Sequence, residues 1–241
     1  ALWARYWLPE PLELRPGPKP SRVTLAELLA ALASFDVRMR LSASQALGQI
    51  MEARTEILPA LRRMLVGKEP GDPVAVAQAV GLMREAGRPA EPELVWALSN
   101  SSGEGRAAAL GALEQVAPAD SFRHHLALAL SDTSAALLAR ACEMAGAWRL
   151  GEHRLLELVR HPVPSVRANA VSAIGHFRSA GGSILGTIDS LRKHDPDWWV
   201  RASARGSWGN LTGLDPWEGL PKGSRGAGDS SRQPRRAPVR P

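Results

Sequence analysis

Two short motifs in this chain of 241 residues contain residue types that carry cofactor or metal chemistry in other proteins. Gly103, Gly105 and Ala108 have the spacing of a dinucleotide-binding loop, but no strand pattern precedes them. His124 and His125 are adjacent, so they point to different sides of a helix, and no further His or Cys stands at metal-ligand spacing. We therefore expect no catalytic residue, no cofactor-binding residue and no metal ligand.

The single cysteine, Cys142, has no partner for a disulfide within the chain. It occupies a small-residue position in a stretch with helical spacing, which predicts a buried packing thiol rather than a reactive one. This cysteine usage favours a reducing compartment, and we predict a cytoplasmic protein. The alternative is a protein tethered to a membrane by a segment that precedes Ala1.

The sequence is organised by a motif that returns six times. In its clearest copy, His161–Phe177, Val166 and Arg167 are followed by small residues at helical spacing. Aligned on the arginine position, the copies fall at Arg40, Val76, Arg106, Leu138, Arg167 and Arg201, which are 36, 30, 32, 29 and 34 residues apart. A period of this size is typical of stacked supersecondary units.

Each unit contains two stretches with the apolar spacing of an amphipathic helix. The motif is the second helix, and its alanines suit close packing between neighbouring helices. A leucine-rich helix precedes each motif, at residues 25–33, 57–65, 94–98, 126–130, 155–159 and 184–191. Asp36 and its equivalents can cap the second helices, and Thr24 with Glu27 forms a capping-box pattern. The fold class is therefore all-α.

The D-x-x-V-R-x-x-A-x-x-A-L-G cadence resembles HEAT repeats, an armadillo-type family of helical hairpins, in their short form of roughly 30 residues. The resemblance covers about residues 24–211 and is strongest at Asp36–Gly48, Val166–Gly175 and Asp197–Gly209. It implies a right-handed α-solenoid of about six HEAT-like hairpins. It also implies a buried ladder of side chains that ties successive repeats together, formed by Asp36, Arg40, Arg106, Arg167, Asp197 and Arg201. Val76 and Leu138 interrupt its arginine row.

For function, the resemblance implies a non-catalytic scaffold that binds a partner protein through the solenoid surface. One alternative is a nucleic-acid-binding or DNA-repair module, because some alkyl-purine DNA glycosylases are HEAT-like solenoids. The net charge is +6, but its location argues against a nucleic-acid-binding function, because much of it lies at the two ends of the chain. Residues 1–23 carry four basic and two acidic side chains, and residues 212–241 carry six and three, so the repeat body is close to neutral.

The two ends of the chain differ in composition from the repeats. Residues 1–23 place Trp3, Tyr6 and Trp7 before a proline-rich stretch, which favours either a segment folded onto the first repeat or a linker that leaves a membrane. The latter gives a second alternative function, a membrane-tethered subunit of a larger complex. Residues 212–241 are rich in Gly, Pro, Ser and Arg, and we expect a disordered basic tail.

Three tryptophans, Trp198, Trp199 and Trp208, are concentrated in the sixth copy of the motif. Tryptophan is enriched at binding hot spots, so these residues are candidates for contact with a partner. A terminal repeat also needs side chains that shield its apolar face, and we expect this capping role to be their main one. Because Trp198 and Trp199 are adjacent on one helix, both cannot face the fifth repeat.

Overall fold

The computed structural model describes residues 24–50, 54–177 and 182–215, and within these ranges every regular element is helical. The elements are α1 (Leu25–Ala31), α2 (Val37–Gln49), α3 (Arg54–Leu65), α4 (Pro73–Leu82), a 3₁₀ helix (Arg84–Ala90), α5 (Glu91–Asn100), α6 (Gly103–Val116), α7 (Ala119–Ala129), α8 (Ala135–Trp148), α9 (Glu152–Leu158), α10 (Pro164–Ile174), α11 (Gly182–His194) and α12 (Trp198–Thr212). The predictions for residues 1–23, for the tail beyond residue 215 and for Trp217 lie outside the described residues.

The helices begin where short polar side chains can accept hydrogen bonds from free backbone amides. Thr24 and Glu27 form the predicted capping box at α1, with the Thr24 side chain accepting from the backbone of Glu27. Asp36, Asp72 and Asp197 cap α2, α4 and α12 in the same manner. The capping predictions made from sequence are therefore confirmed at these helices.

The helices form six consecutive hairpins in two layers. The second helices, α2, α4, α6, α8, α10 and α12, pack side by side in chain order, so each contacts the second helix of the next hairpin. Each first helix packs on the second helix of its own hairpin. No hairpin can bury both faces of its second helix alone, so the stacking of neighbours creates the core. This arrangement is an α-solenoid, as the six copies of the motif predicted.

Small residues allow the second helices to approach closely. A Cβ added to Gly146 of α8 would lie 2.9 Å from the Cα of Ala173 in α10. A Cβ on Gly81 of α4 would lie 3.1 Å from the Cα of Ala112 in α6. Ala170 and Ala173 are both buried, which places these alanines between helices as predicted. A side chain added at Gly81 or Gly146 has to displace the backbone of the neighbouring helix rather than a flexible side chain.

Cys142 lies inside this core with no exposed surface. Burial disfavours the charged thiolate and raises the pKa of Cys142 to about 12. The thiol therefore stays protonated at neutral pH, and the prediction of a buried packing cysteine is confirmed. Residues 84–90, which the sequence assigned to no element, form the 3₁₀ helix between α4 and α5. Gly87 in this helix has no room for a side chain, because a Cβ there would lie 2.5 Å from the carbonyl oxygen of Val80.

Candidate functional site

Three motif arginines contact a carboxylate of the following repeat. The guanidinium of Arg167 donates from Nε and Nη2 to the two carboxylate oxygens of Asp195, each at 3.0 Å. Arg106 forms an ion pair with Asp132, and the Nε of Arg40 lies 3.7 Å from Oδ2 of Asp72. Arg167 and Asp195 are the most buried pair, with side chains that are 12% and 4% exposed.

These arginines are held by backbone carbonyls as well as by carboxylates. Nη1 of Arg167 donates to the carbonyl oxygens of His161 and Pro162 in the turn before α10. Nη1 of Arg40 donates in the same way to the carbonyls five and six residues before it. One edge of each guanidinium is thereby fixed on its own repeat, which aims the other edge at the next repeat.

The other proposed ladder residues occupy different positions. Asp36 and Asp197 are N-caps, and neither forms an ion pair within the described ranges. Nη1 of Arg201 donates to the carbonyls of Asp195 and Pro196 at 2.8 and 2.9 Å. No carboxylate of the described residues lies within ion-pair distance of this guanidinium. The carboxylates that face the motif arginines are therefore Asp72, Asp132 and Asp195.

The ion pairs of the motif arginines cross every second boundary between repeats. They join the first repeat to the second, the third to the fourth and the fifth to the sixth. Val76 and Leu138, which occupy the arginine position in the second and fourth repeats, are buried apolar residues instead. Other polar contacts cross these two boundaries, namely Arg62 with Glu93 and the amide of Asn169 with the carbonyl of Ala139.

The three tryptophans of α12 have different environments. Trp198 and Trp199 are 69% and 43% exposed. Trp208 is half-buried against the core, and the guanidinium of Arg192 lies 4.4 Å from the centre of its ring. The buried Nε1 of Trp208 has no hydrogen-bond acceptor among the described residues. Trp208 thus packs against the core and Arg192 of α11, while Trp198 and Trp199 present apolar surface to solvent.

A groove of about 720 Å³ crosses the exposed face of the second helices. Residues of α2, α4, α6 and α8 line it, so it spans the first four repeats. Its walls include small residues, namely Gly81, Ala107, Ala108, Gly111, Ala112 and Ala136. Leu41 and Leu82 add two large apolar side chains, each 46% exposed. Sequence reasoning did not identify these residues as a site. A partial signal was present, because the helical spacing of the motif places Leu41, Gln45 and Gln78 on the solvent side of the second helices.

The polar groups of the groove are mostly uncharged. Gln45, Gln78 and Gln115 are exposed and come from α2, α4 and α6 in turn. The charged lining residues are Arg84, Glu104 and Arg140. Nη1 of Arg140 is 2.8 Å from Glu143, and Nη1 of Arg84 is 3.3 Å from the amide oxygen of Gln115. The groove is therefore not strongly basic, unlike a surface that neutralises nucleic-acid phosphates.

The glycine and histidine motifs that were considered for cofactor or metal binding lie within helices, where their neighbours serve the fold. Gly103 and Gly105 lie in the first turn of α6, and Ser102 caps this helix. The Nε2 of His125 is 4.0 Å from Glu91 and 3.4 Å from Ser121. Burial lowers the pKa of His125, and the nearby Glu91 carboxylate offsets part of this effect. Among the described residues, no group of three or more His, Cys, Asp or Glu side chains is arranged to hold a metal ion.

The sequence matches no protein-family model and no curated protein. Solved structures do resemble the fold. An engineered protein from a structural genomics programme has a TM-score of 0.50 and 17% identity, over 78% of this chain and 98% of that one. A designed armadillo repeat protein has a TM-score of 0.46 and 17% identity, over 78% of this chain and 100% of that one.

None of the described helices is long and apolar enough to cross a membrane. Three observations support the same fold. They are the stacked hairpins, their close-packed small residues and the similarity to the engineered protein. The described residues form an all-α solenoid of stacked helical hairpins, a fold shared with that engineered protein.

Proposed function

We propose that this chain is a non-catalytic scaffold that binds a segment of a partner protein in the groove formed by α2, α4, α6 and α8. The observation that carries the proposal is the composition of that groove. Leu41 and Leu82 expose large apolar side chains there, beside walls of alanine and glycine. Apolar side chains grouped in a concave surface are typical of sites that bury a partner's apolar residues.

The glutamines of the groove suit a peptide backbone. Each primary amide carries both donors and an acceptor, so Gln45 and Gln78 can pair with backbone N–H and C=O groups alike, and Gln115, whose oxygen accepts from Arg84, can donate its N–H groups. They come from consecutive repeats, so a segment that lies across the second helices passes one amide per repeat. This arrangement favours an extended segment with alternating apolar side chains. The near-neutral charge of the groove favours protein over nucleic acid as the partner.

The proposal is tested by quantitative pull-down with the immobilised full chain, comparing Leu41→Asp and Leu82→Asp with the unchanged protein. A charged group in the apolar centre of an interface should reduce retention of the partner at least tenfold. Leu128→Asp is the matched control, because Leu128 is 57% exposed on α7 and lies outside the groove. Circular dichroism of all variants verifies that each remains folded.

Two results would contradict the proposal. One is a set of partners retained equally by the groove variants and by the Leu128→Asp control. The other is tight binding of a labelled DNA duplex at physiological salt that Gln78→Glu weakens, because this would make the groove a nucleic-acid site. A candidate partner identified by the pull-down should also bind in purified form, and its bound segment can then be mapped by cross-linking to Gln78→Cys.

A further inference from the structure

Arg201 presents an open carboxylate-binding edge at one end of the solenoid. Its Nη1 donates to the carbonyls of Asp195 and Pro196, which are six and five residues before it. Arg40 and Arg167 make the same two backbone contacts, and their remaining guanidinium edges face Asp72 and Asp195 of the next repeat. Arg201 is therefore held in the orientation in which its equivalents bind a carboxylate.

The opposite end of the solenoid carries the complementary carboxylate. Asp36 caps α2 with its Oδ1, which accepts from the backbone N–H of Arg38. Asp72 is the equivalent residue of the second repeat. Its Oδ1 caps α4, and its Oδ2 faces Arg40 of the preceding repeat. The Oδ2 of Asp36 has no hydrogen-bond donor within the described ranges, so it matches the Oδ2 of Asp72, which faces Arg40.

The apolar surface next to Asp36 also has the character of a repeat boundary. Met39 is 51% exposed. The equivalent position, one residue before the arginine slot, is buried in all five other repeats, where it is Ala75, Gly105, Leu137, Val166 and Val200. Phe35 and Val37 are exposed beside Met39, and Trp198 and Trp199 are exposed on the helix that carries Arg201. Each end thus combines exposed apolar side chains with one half of an ion pair.

We propose that two copies of this chain associate head to tail, with Arg201 of one copy binding Asp36 of the next. The contact continues the stacking of repeats from one molecule to another, and it covers Phe35, Val37 and Met39 with the face of α12. Such a contact joins different surfaces of identical chains, so it propagates to a chain of molecules or closes as a ring. This proposal is independent of the occupant of the groove.

Sedimentation velocity of the full chain over a wide range of protein concentration tests the proposal. We expect the average mass to rise with concentration. Asp36→Arg and Arg201→Asp should each keep the protein monomeric, because each places like charges together. The double reversal, Asp36→Arg with Arg201→Asp, should restore association, as should an equimolar mixture of the two single variants. Asp120→Arg and Arg88→Asp reverse exposed charges away from both ends and should leave association unchanged.

Asp36→Arg also removes a helix cap, so a second variant separates folding from association. Asp36→Ser keeps a capping oxygen but lacks the charge, and it should weaken association at least several-fold without loss of helicity. A monomeric unchanged protein at every concentration would overturn the proposal. Association that persists in both single reversals, or that the double reversal fails to restore, would overturn it as well.

Discussion

Replacing Arg167 by Met should destabilise the protein far more than the same change at Arg40. Both arginines donate from Nη1 to two backbone carbonyls, so both variants lose these bonds. The two variants differ in the ion pair. Arg167 binds both oxygens of Asp195, and the two side chains are 12% and 4% exposed. Arg40 approaches Asp72 only at 3.7 Å, and these side chains are 22% and 29% exposed.

The magnitude follows from what each variant leaves behind. Arg167→Met leaves the Asp195 carboxylate buried without its cation, and removal of one member of a buried pair costs about 3–5 kcal/mol. Arg40→Met leaves a carboxylate that water can still reach, and partly exposed pairs contribute about 0–1 kcal/mol. The difference between the two variants should therefore be roughly 2–4 kcal/mol of unfolding free energy.

Urea denaturation followed by far-ultraviolet circular dichroism measures both variants. A double-mutant cycle with Asp195→Asn isolates the pair, because Arg167→Met in that background no longer leaves a buried charge. We expect Arg167→Met to be clearly less harmful in the Asp195→Asn background than in the otherwise unchanged protein. Equal destabilisation by Arg167→Met and Arg40→Met would refute the reasoning, since it would mean that burial of the pair does not determine its strength.

Three further predictions concern packing. Ala173→Leu should cost about 1–3 kcal/mol through overpacking against α8, whereas Leu at the exposed neighbour Ser172 should be nearly neutral; thermal melts compare the two. Cys142 should resist an aromatic disulfide reagent in the folded protein and react only as fast as the chain opens, because burial raises its pKa to about 12; rapid labelling without denaturant would contradict this. Trp208→Ala should lower the melting temperature, while Trp198→Ala should change the unfolding free energy by no more than about 0.5 kcal/mol; the reverse order would assign the capping role to Trp198.

Local features of the sequence determined most of the fold. The spacing of arginine and alanine defines where each second helix lies, because one helical face must be apolar and small for close stacking. The caps are short-range as well, since an N-cap side chain bonds an amide two or three residues away. Thr24, Asp36, Asp72 and Asp197 were therefore recognisable as caps from sequence.

Contacts between repeats depended on the tertiary structure. The resemblance to HEAT repeats implied a ladder that includes Asp36 and Asp197, but the structure brings Asp72, Asp132 and Asp195 to the motif arginines from the following repeat. Asp132 and Asp195 each lie six residues before the arginine slot of their own repeat, whereas Asp72 lies four before it, so no single spacing identifies all three. The offset between neighbouring hairpins, which results from packing along whole helices, decides which carboxylate is in reach. Tertiary packing likewise decides that Met39 is exposed while its equivalents in the other repeats are buried, and that four second helices together line the groove.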